Sequence, residues 1–147
     1  MFNMNNIRLA VFGAALAFST AAVNAAPAEE LALPAPLSDM TTEQWHAFSH
    51  SLVDGIASEN EGLRTAAMRL SVQYAGRVDV TSALIDVMSI YRNHPDDNVR
   101  RMAVVTLGSM NSSLAKGYLE LSQQYEKSPA VKRTIRAVLA GIADGSN

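Results

Sequence analysis

The sequence has no cysteine, few aromatic residues and no excess of basic charge. The absence of cysteine among its 147 residues excludes disulfides, cysteine nucleophiles and zinc sites built from thiolates. Lys and Arg number 12 against 14 Asp and Glu, a balance that argues against nucleic-acid binding. Neither a glycine-rich phosphate loop nor a nucleophile motif occurs, so we predict a protein that is not an enzyme and needs no cofactor.

The first 25 residues have the features of a signal peptide. Arg8 is the only charged residue before Glu29, and Leu9–Phe18 is a short apolar run. Val23-Asn24-Ala25 fits the small-residue rule for cleavage, so we predict cleavage after Ala25 and a periplasmic or secreted protein. The alternative is an uncleaved anchor that tethers a scaffold to the membrane, although the run is shorter than the ~20 apolar residues that span a bilayer.

Residues 26–40 are a predicted linker, because Pro27, Pro34 and Pro36 interrupt the segment. A predicted helical domain follows at 41–147. Asp79 is the expected cap of its third helix, and no alternating β pattern competes with the helical spacing, so the fold class is all-α.

Six helices are predicted, each with one apolar stripe at helical spacing. The six stripes, in chain order, are Trp45, Phe48, Leu52 and Ile56; Leu63, Ala66, Ala67, Leu70 and Tyr74; Val80, Ala83, Leu84, Val87 and Tyr91; Val99, Met102, Ala103, Thr106 and Met110; Leu114, Tyr118, Leu121 and Tyr125; and Val131, Ile135, Val138 and Ile142. The fourth helix is apolar nearly all round, which predicts that it is buried between neighbouring helices.

A short pattern recurs three times, at intervals of about 32 to 36 residues. Each copy has a helix-capping residue followed three positions later by an apolar-basic pair. The pairs are Leu63-Arg64, Val99-Arg100 and Val131-Lys132, and their caps are Asn60, Asp96 and Ser128. This recurrence predicts three helical hairpins, at 41–76, 77–110 and 111–145.

The second copy resembles the HEAT-repeat family of α-solenoids. Pro95-Asp96-Asp97-Asn98-Val99-Arg100, with Ala103 and Leu107 after it, matches the family pattern D-P-D-x-x-V-R-x-x-A-x-x-x-L. His94 stands where the family has its first Asp, and Lys132 replaces the Arg in the third copy. The resemblance implies a short right-handed α-solenoid of about three antiparallel hairpins and a role in protein interaction.

The family pattern also implies a structural ladder of Arg64, Asp96 and Arg100, in which the arginines bond to carboxylates and carbonyls of adjacent turns. His94 would replace one local hydrogen bond of the missing Asp. No partner nucleophile accompanies His94, so we assign it no catalytic role.

Charge is unevenly distributed along the chain. Residues 26–61 contain seven acids and no base, whereas residues 62–147 contain eleven bases and seven acids. Equivalent positions of a solenoid stack on one face, so the second helices are expected to carry a basic ridge that binds an acidic partner protein. The expected partner-binding residues are Arg101, Lys132, Arg133 and Arg136. The alternative is that these bases only neutralise the acidic N-terminal segment.

A metal or small-ligand site is the other alternative. His46, His50 and Asp54, with Glu43 before them, lie on one side of the first predicted helix. Two imidazoles and a carboxylate at this spacing suit a metal ion. They lie opposite the apolar stripe, however, and we therefore favour a solvated polar face over a metal site.

Overall fold

The computed structural model describes residues 40–144, and their regular structure is helical apart from one isolated β-bridge between Ala75 and Val78. The predicted all-α class is therefore confirmed. Six α-helices follow one another, with a 3₁₀ turn at Thr81–Ala83 before the third. They are α1 (Thr42–Ala57), α2 (Glu61–Gln73), α3 (Leu84–Asn93), α4 (Asp97–Ser109), α5 (Ser113–Tyr125) and α6 (Pro129–Asp144).

Several helices begin at the capping residues that the sequence predicts. Thr41 and Gln44 form a capping box at α1, each side chain bonding to the other's backbone N–H. Asp96 caps α4 by accepting from the Asn98 backbone N–H at 2.7 Å. The Ser128 hydroxyl accepts from the Val131 backbone N–H at 3.3 Å, with Pro129 in the first position of α6.

The helices pack in consecutive pairs, α1 with α2, α3 with α4, and α5 with α6. The second helices of these pairs also touch in order, since α4 contacts both α2 and α6. Ala103, Val104 and Leu107 of α4 are almost completely buried. The prediction that the fourth helix is buried between neighbours is confirmed.

Glycines allow α1 to approach α2 closely and α4 to approach α6 closely. A Cβ atom added at Gly55 of α1 would lie 2.8 Å from the Ala67 Cβ of α2. One added at Gly108 of α4 would lie 2.3 Å from Val138 Cγ1 of α6. Small residues at these positions therefore set the distances between α1 and α2 and between α4 and α6.

The predicted inward stripe of α5 is wrong. Leu114, Leu121 and Tyr125 are 60%, 58% and 74% exposed, whereas Ala115 and Leu119 are buried. The buried stripe continues through half-buried Ser122 to Glu126. It therefore contains polar residues, which hydrophobic periodicity assigns to the surface. The rotation of about one residue, ~100° around the helix, leaves the large apolar side chains outside.

The second helix shows a similar error, and the third helix begins later than predicted. Leu63 and Ala66 of α2 are exposed, and Met68 and Ser71 are buried in their place. The third helix begins at Leu84, not directly after Asp79, whose Oδ1 instead accepts from the Thr81 N–H at the preceding 3₁₀ turn. Its five predicted core residues are nevertheless all buried.

The predicted signal peptide with its cleavage site, and residues 26–39 of the predicted linker, lie outside the described residues. Within residues 40–144, none of the helices combines the length and apolar character needed to cross a membrane.

Candidate functional site

Two arginines of the predicted ladder bond to the carbonyls that end the preceding helix. Arg64 donates through Nε and Nη2 to the Ser58 carbonyl at 3.0 and 2.8 Å. Arg100 donates through Nε to the Tyr91 carbonyl at 2.9 Å. Asp96 does not join the ladder, because its carboxylate bonds to the Asn98 N–H. Its neighbour Asp97 accepts from Arg100 Nη1 at 3.0 Å instead.

Arg100 also reaches a carboxylate that the sequence analysis did not consider. Its Nη2 donates to Glu126 Oε2, and the Glu126 side chain is only 2% exposed. The Tyr91 hydroxyl donates to the same oxygen at 2.9 Å, and the Ser128 N–H donates to Oε1 at 2.8 Å. Glu126 therefore ties α3, α4 and the start of α6 to the end of α5.

These contacts change the acidity of Glu126 and Tyr91. Burial raises the pKa of Glu126, but the Ser128 N–H, Arg100 and the Tyr91 hydroxyl together lower it further, so its pKa lies below the ordinary 4.5. Burial, helped by the hydrogen bond to Glu126, raises the pKa of Tyr91 to about 12. At neutral pH the carboxylate is charged and the phenol keeps its proton.

His94 makes the local hydrogen bond expected of it. Its Nδ1 accepts from the Asp96 backbone N–H at 3.1 Å, and Nε2 lies 3.6 Å from Glu61 Oε1. His94 therefore connects the turn before α4 to the start of α2.

His46, His50 and Asp54 of the metal alternative line one surface cavity together with Asp79. His50 Nδ1 lies 3.2 Å from Asp54 Oδ2, and both side chains are about 70% exposed. Among residues 40–144, no three His, Asp or Glu side chains are placed to hold a metal ion. The arrangement matches a solvated polar face of α1.

Among the four bases of the expected ridge, Arg101 is set apart from Lys132 and Arg136. Arg101 donates through Nε to Thr134 Oγ1 at 3.1 Å, which places Thr134 on the side of α6 that faces α4. Lys132 and Arg136 are each two residues from Thr134 and lie roughly 160° away around α6. Arg101, Arg133 and Arg136 are exposed and Lys132 is half-buried. Arg101 therefore lies apart from Lys132 and Arg136, and a basic ridge that includes Arg133 stays a prediction.

A concave surface lies elsewhere, between the C-terminal turn of α3 and the C-terminal half of α5. It is a groove of about 570 Å³. The groove is lined by Tyr91, Arg92, His94, Arg100, Tyr118, Leu121, Ser122, Tyr125, Glu126 and Lys127. We call this surface the α3–α5 groove.

Aromatic and ionic contacts hold the floor of the α3–α5 groove in place. The rings of Tyr91 and Tyr118 pack edge to face with centroids 5.8 Å apart, and the Arg100 guanidinium lies 5.5 Å from the Tyr91 ring. The Tyr118 hydroxyl donates to the Met88 carbonyl at 3.5 Å. The floor is preorganised, whereas the wall formed by Leu121 and Tyr125 is open to solvent.

The exposed residues that line the groove were not predicted as a site. Leu121 and Tyr125 were assigned to the core because their spacing is helical, and Arg92 and Lys127 were counted only in the total charge. A signal did exist in the sequence. Ala115 and Leu119 form a second apolar stripe on α5. If that stripe faces the core, the stripe of larger apolar residues faces solvent.

Comparison of the chain with protein-family models, with curated proteins and with solved structures finds no match.

Proposed function

We propose that the protein is a non-catalytic interaction module that binds a partner protein through the α3–α5 groove. The observation that carries the proposal is the apolar side of α5, where Leu121 and Tyr125 are exposed beside a preorganised aromatic floor. Contiguous exposed apolar surface rimmed by polar residues is typical of interaction sites. Tyrosine is also among the residues that most often dominate binding energy.

We propose further that the helices form a short right-handed solenoid of the HEAT-like kind. The packing of α1 with α2, α3 with α4 and α5 with α6, together with the contacts of α4 to α2 and α6, supports this proposal. The matching use of Arg64 and Arg100 to bond the end of the preceding helix supports it too. In such stacks each repeat is buried only against its neighbours.

The proposed setting is outside the cytoplasm, as a cleaved periplasmic or secreted protein. The support is the short apolar run and the small residues before Ala25 in the sequence. The intact mass of the exported protein tests this point directly. A mass beginning at Ala26 supports export with cleavage, whereas the full-length mass in a membrane fraction supports the tethered alternative.

The binding proposal is tested by comparing capture by the parent protein with capture by a groove variant. Tyr125→Ser together with Leu121→Ser removes the apolar wall, and Ile85→Ser is a matched control because Ile85 is an equally exposed residue of α3 outside the groove lining. A partner retained by the parent and the control but lost by the double variant is then purified. Its affinity for all three proteins is measured by calorimetry.

We expect the double variant to bind at least about tenfold more weakly, which corresponds to the loss of about 1.4 kcal/mol that one or more binding hot spots supply. Equal affinity of all three proteins would contradict the proposal. The triple variant Arg101→Glu, Arg133→Glu and Arg136→Glu tests the ridge interpretation separately. If only the triple variant loses partner binding, the interface lies on α4 and α6.

A further inference from the structure

We infer that the α3–α5 groove takes an acidic peptide segment in which carboxylates flank an apolar or aromatic side chain. This inference rests on the proposed function and names the chemistry of the partner. It follows from the balance of charge in the groove, from the position of the apolar wall and from the charge of the whole chain.

The first argument is that the only acid lining the groove is already neutralised. Glu126 pairs with Arg100, and its two oxygens also accept from the Tyr91 hydroxyl and the Ser128 N–H. Arg92 and Lys127 are exposed at the groove, and neither side chain forms a hydrogen bond or ion pair with another residue of 40–144. The unpaired charge in the groove is therefore positive, which favours an occupant with carboxylates.

The second argument is that the basic residues border an apolar wall. Arg92 lies in the last turn of α3 and Lys127 follows α5, and both line the groove together with Leu121 and Tyr125. An apolar side chain of the occupant would pack on Tyr125 and Leu121 while its neighbouring carboxylates meet Arg92 and Lys127. Tyr125 offers a large contact area with few rotatable bonds to immobilise.

The third argument concerns the class of anion. A basic and aromatic groove also suits single-stranded nucleic acid, but the chain as a whole has a net charge of −2. That charge repels a long polyanion, whereas a short acidic segment meets only the local positive charge. The occupant we infer is therefore a peptide segment.

The experiment is a titration of the full mature chain against a labelled synthetic peptide, followed by fluorescence anisotropy. The probe has the sequence Glu-Leu-Asp-Phe-Glu, and its amide counterpart Gln-Leu-Asn-Phe-Gln has the same shape without charge. We expect saturable binding of the acidic probe and at least about tenfold weaker binding of the amide probe. Binding should weaken between about 0.05 and 0.5 M salt, because added salt screens exposed charges.

Two charge-reversal variants locate the binding site. Arg92→Glu with Lys127→Glu changes the groove, and Arg69→Glu with Arg136→Glu makes the same change in total charge at exposed sites of α2 and α6. We expect the groove variant to lose at least about tenfold in affinity and the control variant to lose about twofold or less, because long-range screening weakens distant charges. Arg136 also belongs to the alternative ridge, so a large loss in the control variant counts against the groove. Tyr125→Ser should weaken binding of the acidic probe and should not strengthen binding of the amide probe.

The inference is overturned if acidic and amide probes bind equally, if the two charge-reversal variants behave alike, or if the acidic probe does not bind at all. Tighter binding of a single-stranded oligonucleotide of equal charge would also overturn it in favour of nucleic acid. The proposed function fails separately, through the captured partner. If Tyr125→Ser with Leu121→Ser loses that partner while the acidic probe does not bind, the groove remains an interface and only the chemistry inferred for its occupant is wrong.

Discussion

Arg100 of α4 donates a hydrogen bond to the carboxylate of Glu126, which lies 26 positions later in the chain and is almost completely buried. The pair lies at the floor of the α3–α5 groove. The same guanidinium also bonds the Tyr91 carbonyl in the last turn of α3 and the Asp97 carboxylate at the start of α4. One side chain therefore joins α3 and α4 to the end of α5 and keeps the groove in shape.

Glu126→Ala should destabilise the protein by about 3 kcal/mol or more, because it leaves a largely buried guanidinium without its carboxylate. The Tyr91 hydroxyl would lose its acceptor as well. Urea denaturation followed by circular dichroism measures the effect. Glu120→Ala, at an exposed position of the same helix, should change stability by less than about 0.5 kcal/mol. Equal effects of the two substitutions would show that the Arg100–Glu126 pair contributes nothing.

The pair should also make the protein sensitive to acid. The pKa of Glu126 is lower in the folded state than its ordinary 4.5, so its contribution is present above that pH and is lost as the pH falls below it. The difference in unfolding free energy between the parent and Glu126→Gln should therefore be constant from about pH 6 to 8 and shrink below about pH 4.5. Contributions from the exposed carboxylates Glu43 and Asp79 are the same in both proteins and cancel. A difference that stays constant down to pH 3 would contradict this assignment.

Tyr91 should produce the opposite dependence in alkali. Its pKa is raised from 10.0 to about 12 in the folded protein, so the folded state holds the proton more tightly than the unfolded state. The resulting stability is complete below about pH 10 and is lost as the pH rises towards 12. Ultraviolet absorbance should show one of the four tyrosines ionising last, and that late step should be absent from Tyr91→Phe. If Tyr91→Phe removes no step from the titration, the raised pKa does not belong to Tyr91.

Gly55→Ala should destabilise the contact between α1 and α2 by about 1 to 3 kcal/mol, as overpacking does. The new Cβ would lie 2.8 Å from Ala67 Cβ, which cannot rotate away, so the helix backbones must separate. Gly117→Ala is the control, because a Cβ at Gly117 has no neighbour within 4 Å. This second change should stabilise α5 by roughly 0.5 to 1 kcal/mol through helix propensity. Thermal unfolding of both variants measures these effects. Stabilisation by Gly55→Ala would contradict the close approach of α1 and α2.

Ala103→Asp should unfold the domain or destabilise it by several kcal/mol, since Ala103 is completely buried in α4 and the new carboxylate finds no partner there. Ala137→Asp introduces the same group at an exposed position of α6 and should be tolerated. The midpoint of thermal unfolding measures both effects. Similar midpoints for the two variants would place Ala103 at the surface.

The sequence by itself determined where most helices begin and that the fourth helix is central. Caps such as Thr41, Asp96 and Ser128 act on backbone N–H groups within one turn, so their effect can be inferred from neighbouring residues. The repeated apolar-basic pair likewise directed attention to Arg64 and Arg100, because their carbonyl partners lie only six and nine positions away.

The tertiary structure alone decided which side of α5 is buried and where the candidate site lies. Glu126 can be buried only because Arg100 and Tyr91, which are distant in sequence, neutralise and hydrogen-bond its carboxylate. That burial turns α5 so that Leu121 and Tyr125 face solvent, although their helical spacing is that of core residues. Hydrophobic periodicity describes only the side chains of one helix, whereas the orientation of that helix depends on the polar partners that other helices supply.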